Sequence, residues 1–88
     1  MTQPAGTPTV TLYGRPGCHL CDDALAVLQR LRAEIPFAVE TVDIEHDAAL
    51  LRAYLERIPV IALDGAELYD FHVDERDLRA RLARVTRR

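Results

Sequence analysis

The stretch TVTLYGRPGCHLCDDAL, Thr9 to Leu25, contains a change of period that organises the rest of the chain. Thr9 to Tyr13 alternate β-branched and apolar residues, as a short strand does, and Gly14, Pro16 and Gly17 end it. After the breakers the period lengthens. Leu20, Ala24, Leu28, Leu31 and Ile35 recur at spacings of four and three, with Asp22, Asp23, Arg30 and Arg32 off that stripe. An amphipathic helix is therefore expected to begin near Cys18 and to end before Pro36. The only two cysteines of the 88-residue chain, Cys18 and Cys21, fall at this strand-to-helix joint.

Working outward, FAVETVDI (Phe37 to Ile44) reads as a second strand. Asp47 is placed to cap a helix with Leu50, Leu51, Tyr54, Leu55 and Ile58 on one face, ended by Pro59. VIAL, Val60 to Leu63, is an apolar run of strand length, and Asp64-Gly65 turns it into a partner strand, Glu67 to Phe71. Asp74 then caps a last helix with Leu78, Leu82 and Val85 on its apolar stripe. The order is βαβαββα, an α/β class. Its first half makes a right-handed unit with parallel strands, and the hairpin adds an antiparallel edge, giving a four-stranded mixed sheet flanked by helices. Residues 1–8, with two Pro and one Gly, read as a flexible tail, and residues 9–88 as a single domain.

Composition narrows the function. Net charge is −3, and 49% apolar content is ordinary for a globular chain. The acids Asp74, Glu75 and Asp77 gather at the start of a segment that carries Arg76, Arg79, Arg81, Arg84, Arg87 and Arg88, an order that suits a helix with its acidic end first. That balance argues against nucleic acid as a partner. A basic start followed by an apolar run is absent, and so is a window of about 18 apolar residues. The expectation is a cytoplasmic protein that neither spans nor binds a membrane. In a reducing compartment a C-x-x-C pair is more often catalytic or metal-binding than a permanent crosslink.

The spacing of the pair suits redox chemistry. Residues three apart on a helix are about 5 to 6 Å apart at Cβ, and a disulfide needs a Cα separation of roughly 4.4 to 6.8 Å. Cys18 falls at the helix start, where unpaired N–H groups and the positive end of the dipole favour an anion. A free cysteine titrates at about 8.5, and such placement brings it to about 7 or below. Cys21 lies one turn in, nearer the packed side. On this reading Cys18 attacks a substrate disulfide, and Cys21 then attacks Cys18 to release the reduced substrate.

The neighbours leave readings open. His19 either donates a hydrogen bond or charge to the thiolate or is a solvated imidazole; with Leu20 it sits between the cysteines, where redox tuning occurs. Asp22 and Asp23 read as ordinary first-turn acids. Arg15 either holds a carboxylate of a thiol substrate or is a plain surface arginine. A zinc site needs about four ligands, and beyond the cysteines the chain offers only His19, His46 and His72, so no metal is expected. As a structural staple, a disulfide around so short a loop contributes only about 2 kcal/mol. A non-catalytic binding or adaptor module is the remaining alternative.

TLYGRPGCHLC after a strand, and RIPVIALDG some way downstream, resemble the glutaredoxin-like branch of the thioredoxin superfamily, in particular the small bacterial members with C-H-L-C. The resemblance covers roughly residues 9 to 85. It implies a thioredoxin-like, glutaredoxin-type fold and a thiol-disulfide oxidoreductase with Cys18 and Cys21 as its catalytic pair. It further implies that Pro59 is cis and lies against the cysteines, leaving the backbone of Ile58 to pair with an extended substrate. A proline that begins a strand donates no ladder bond, which fits that role. In place of the family's Gly-Gly-Asp element stands LYDFHVDE, where Asp74 is the candidate for the acidic residue that meets glutathione, as Arg15 is for the basic one. Substrates expected on this basis are disulfide-containing proteins or low-molecular-weight thiols. Glutathione is expected as a co-substrate, no cofactor is tightly bound, and glutathione or a thioredoxin reductase type of enzyme recharges a monomeric protein. Iron-sulfur binding through Cys18, found in relatives with other motifs, is the other alternative.

Overall fold

The structure is a computed structural model that describes residues 7–86. Its central strand, β1 (Thr9–Gly14), pairs in parallel with β2 (Ala38–Asp43), in a register running from Thr9 opposite Ala38 to Gly14 opposite Asp43. On its other side β1 pairs antiparallel with β3 (Val60–Leu63), which in turn pairs antiparallel with β4 (Ala66–Asp70). The sheet order is β2-β1-β3-β4. Helices α1 (His19–Arg32), α2 (Ala48–Tyr54) and α3 (Glu75–Thr86) complete the expected βαβαββα order.

The core follows from the strand alternation. Val10 and Leu12 of β1 and Ile61 of β3 face Ala24, Leu28 and Leu31 of α1 and Leu78 and Leu82 of α3, and all are buried. Outside this core an ion pair from Arg30 to Glu75 at 2.9 Å ties α1 to α3, and another joins Arg79 of α3 to Glu34, just past the end of α1. The β3–β4 turn uses Asp64 at φ 49° and Gly65 at φ 89°, the two left-handed residues that a tight Asp-Gly hairpin requires. Asp64 also fastens the start of β1, because its carboxylate accepts the Thr9 N–H at 2.9 Å.

Several boundaries move from the sequence reading. Helix α2 stops at Tyr54 instead of running to Pro59, and none of its residues is buried. A residue before proline avoids the helical region, so Ile58 cannot be helical; the chain leaves early, with Arg57 N–H turning back to the Tyr54 carbonyl at 2.8 Å. Leu55, expected on the packed face, is 41% exposed. Helix α1 ends at Arg32, and Ile35 lies beyond it, with its N–H on the Leu31 carbonyl at 2.9 Å. Strand β2 spans Ala38–Asp43, shorter at both ends than Phe37 to Ile44; Asp43 accepts the Glu45 N–H at 2.9 Å and starts a 3-10 turn, Ile44–His46. Strand β4 ends at Asp70, because Phe71 takes a left-handed φ of 68°.

At the N-terminal side, Pro8 is buried and its carbonyl accepts the Ala38 N–H at 2.9 Å, so the packed chain includes the residue before the expected start of the domain. Residues 1–6 of that expected tail lie outside the described residues. Among the described residues no helix is long and apolar enough to cross a membrane.

Candidate functional site

Strand β1 ends at Gly14, and the exposed loop Arg15, Pro16 and Gly17 carries the chain into α1. Gly17 turns it at φ 79°, a conformation that side chains rarely adopt. Cys18 is the N-cap of α1. Its backbone is extended (φ −97°, ψ 109°), and its sulfur accepts the Cys21 N–H at 3.1 Å. One of the helix's unpaired donors therefore points at a sulfur atom, where a thiolate is favoured by hydrogen bond and dipole together. Cys21 is bonded to Cys18 as a disulfide with a Cα separation of 5.2 Å. The two sulfurs differ in access: Cys18 is half-buried, whereas Cys21 is only 6% exposed and belongs to the core.

Backbone close to Cys21 makes this possible. Gly14 lies beneath it, so near that a Cβ on Gly14 would meet the Cys21 Sγ at 2.7 Å. A cavity of about 260 Å³ opens at this point, between the ends of β1 and β2, and touches Gly14, Arg15, Cys21, Asp22 and Asp43. Arg15 stands at its rim and pairs with Glu45 at 3.5 Å.

The proline approaches from the other side of β1. The Ile58–Pro59 peptide bond is cis. Tyr13 pairs with Val60, so Gly14 and Pro59 come to the same end of the sheet. Pro59 is buried, and its carbonyl accepts the Phe71 N–H at 2.8 Å. Among the described residues, the backbone N–H and carbonyl of Ile58 have no hydrogen-bond partner.

Arg57 fixes this segment. Its guanidinium bonds Glu67 at 2.6 Å and Asp70 at 3.0 Å on β4, and stands 5.2 Å over the ring of Tyr54. Tyr54 donates to Glu67 at 2.7 Å and packs on Tyr13, ring centroids 4.9 Å apart. The Arg57 guanidinium, then the Tyr54 hydroxyl, hold the Glu67 carboxyl below the usual range.

Of the residues singled out from sequence, Cys18, Cys21, Arg15, Ile58 and Pro59 gather around the end of β1. His19 is exposed and Leu20 half-buried in the first turn of α1. Asp74 caps α3, its carboxylate accepting the Asp77 N–H at 3.0 Å. His46 pairs with Asp43 at 3.6 Å, and among the described residues no group of three His, Cys, Asp or Glu side chains converges as metal ligands.

Four features were missed in the sequence. In the sequence Gly14 reads only as a strand breaker, although a glycine four residues before Cys18 is where a helix folding back must approach its strand. The Arg57 cluster carried no local pattern. Tyr69 lies in the LYDFHVDE segment, half-buried, and its hydroxyl donates to Asp77 at 2.6 Å; burial and that bond push it well above the tyrosine range. Phe71 is 43% exposed beside Pro59, and nothing local marked its left-handed backbone.

Comparison with known proteins agrees with this geometry. The glutaredoxin-like domain model (DUF836) matches residues 9–83. An uncharacterised protein of Mycobacterium tuberculosis (strain H37Rv) is 39% identical over 84 residues, covering 90% of this chain and 87% of that one. Among solved structures, a Nitrosomonas europaea protein superposes with a TM-score of 0.78 at 30% identity, covering 92% of this chain and 98% of that one. A protein of X. campestris does so at 0.70 and 45% identity, covering 85% and 96%. A mutant thioredoxin from Halobacterium salinarum, 23% identical with a TM-score of 0.66 over 90% of this chain and 74% of its own, shares the fold. With a thioredoxin-like fold and a C-x-x-C pair at disulfide distance on the first helix, the chain belongs to the glutaredoxin-like domain family.

Proposed function

We propose that the protein is a thiol-disulfide oxidoreductase that reduces protein disulfides or mixed disulfides of low-molecular-weight thiols. The observation that carries this reading is the half-buried Cys18 at the N-cap of α1, whose sulfur accepts the Cys21 N–H at 3.1 Å and lies within bonding distance of the sulfur of the buried Cys21.

In the first step the Cys18 thiolate attacks one sulfur of a substrate disulfide, forming a mixed disulfide and expelling the other sulfur as a thiolate. In the second, Cys21 gives up its proton, attacks the Cys18 sulfur and forms the Cys18–Cys21 disulfide, and the remaining substrate thiolate leaves. The substrate gains two electrons and the pair loses two. An external dithiol enzyme or two molecules of a thiol such as glutathione return them, so no tightly held cofactor is needed. The free backbone groups of Ile58 suit an extended peptide lying beside Cys18, bonded as an added strand. Arg15, if released from Glu45, offers a carboxylate partner for a small thiol. A reducing cytoplasm is the compartment in which this cycle runs in the reductive direction.

Reduction of a mixed glutathione disulfide and of insulin, each coupled to a thiol reductant, tests the reading. Turnover by the wild type with none from Cys18→Ser is expected. Equal turnover by both would sink it.

A further inference from the structure

We infer that Gly14 is a positioning residue for Cys21: the empty space above its Cα is what lets the second sulfur reach Cys18. This deepens the exchange cycle proposed above and rests on it.

The glycines of this fold have different reasons to be glycine. Gly17 and Gly65 hold left-handed backbones, φ 79° and 89°, and a Cβ on either would meet nothing within 4 Å. Gly14 is the reverse. Its backbone is ordinary strand, paired with Asp43, so conformation does not require glycine there. Space does. A Cβ would stand 2.7 Å from the Cys21 sulfur, 3.2 Å from the Cys21 Cβ and 3.2 Å from a methyl of Leu12. Comfortable contacts lie at about 3.5 to 4.0 Å, so the sulfur is too close by roughly 1 Å.

Cys21 has few ways to yield. Its side chain has a single torsion, and its backbone is fixed in the first turn of α1, where its N–H is bonded to the Cys18 sulfur. Rotating the torsion carries the sulfur away from Cys18. Keeping it lifts the helix start off β1 and disturbs Leu12 and the buried packing below. Either response moves the second sulfur from the line of attack, and a misplacement of about 1 Å in a reacting group costs on the order of a hundredfold in rate. Cys18 is not among the three atoms nearest to that Cβ, so the first step is spared.

Two measurements on the reduced protein test this. In the first, reaction with a symmetric aromatic disulfide releases one coloured thiol when Cys18 attacks and a second when Cys21 closes. In Gly14→Ala the first release is expected to stay within about twofold of wild type, and the second to slow by about tenfold to a hundredfold. The second measurement is a thermal-stability cycle of Gly14→Ala, Cys21→Ala and the double variant. It needs no activity, so it still decides the Gly14 contact if wild type shows no second release, an outcome that would remove the exchange cycle instead. The alanine is expected to lower the midpoint in the presence of Cys21 and to lower it much less, or not at all, in the Cys21→Ala background; changes in unfolded-chain entropy cancel in the comparison. If Gly14→Ala fails to fold, folding of the double variant gives the same supporting answer. An unslowed second release, an equal cost in both backgrounds, or a double variant that also fails to fold would overturn the assignment.

Discussion

Two helices of this protein begin where parallel strands of one sheet end, and different chemistry caps them. Helix α2, past β2, starts at Asp47, whose carboxylate accepts the N–H groups of Ala49 at 2.8 Å and Leu50 at 3.1 Å. Helix α1, past β1, starts at Cys18, whose sulfur accepts only the Cys21 N–H. A carboxylate is a strong acceptor and a favoured cap; sulfur is a weak one. The packing differs in the opposite sense. Cys21, Ala24, Leu28 and Leu31 of α1 are buried, whereas no residue of α2 is more than half-buried. Helix α1 is held by its core face, which leaves its first position open to a reactive atom. Helix α2 depends on its cap, and its start is closed with an inert group.

The largest effect that would break this comparison is Cys18→Ser. Reductase turnover is expected to fall to background while the reduced protein melts no lower than wild type, because serine is a good N-cap. Loss of turnover accompanied by loss of fold would remove the separation of chemistry from stability. Next are two leucines. Leu28→Ala in α1 is expected to cost about 2 to 5 kcal/mol in denaturant unfolding, and Leu55→Ala beyond α2 within about 0.5 kcal/mol. Equal costs would mean that the end of α2 is packed as firmly as the middle of α1.

Asp47→Ala sharpens the comparison further. It should lower stability by about 1 kcal/mol, a shift of roughly 4 to 8 °C in a domain of this size, with the exchange rate of Cys18 unchanged. The smallest effect concerns acid. Hydrogen bonds hold Glu67 and Asp77 below their ordinary range: for Glu67 from Arg57 and then Tyr54, for Asp77 from Tyr69 and then Arg81. The stability that these depressed carboxylates contribute is fully present above their unfolded values of about 4 and is lost as pH falls through the folded ones. Melting temperature should therefore decline below about pH 4, less steeply for Arg57→Gln and less steeply in high salt, since both groups are exposed.

The contrast between the helices also explains what was legible in the sequence. The order of elements, the Asp-Gly turn and the burial of Leu28, Leu31, Leu78 and Leu82 follow from patterns confined to a few neighbouring residues, and the structure has them. The early end of α2 did not follow, because the apolar spacing of Leu50 to Ile58 favours a longer helix, while Arg57 is drawn to Glu67 and Asp70 across the chain. At the site, the cysteine pair and Pro59 were legible through spacing and resemblance. Gly14 was not, since its role is an absent side chain facing an atom seven residues later. Asp74 had two readings in the sequence, cap and ligand, and the structure engages it as the cap of α3.

Under the proposed function, the cap position makes Cys18 the attacking sulfur. Timed iodoacetamide labelling of the reduced protein across pH, with the modified cysteine identified by mass spectrometry, tests it most directly. Cys18 should be labelled first, with a pH midpoint below the free-cysteine value of about 8.5, and Cys21 only once the protein is unfolded. Labelling of both cysteines at one rate, or of Cys18 no faster at neutral pH than in the unfolded chain, would contradict the account.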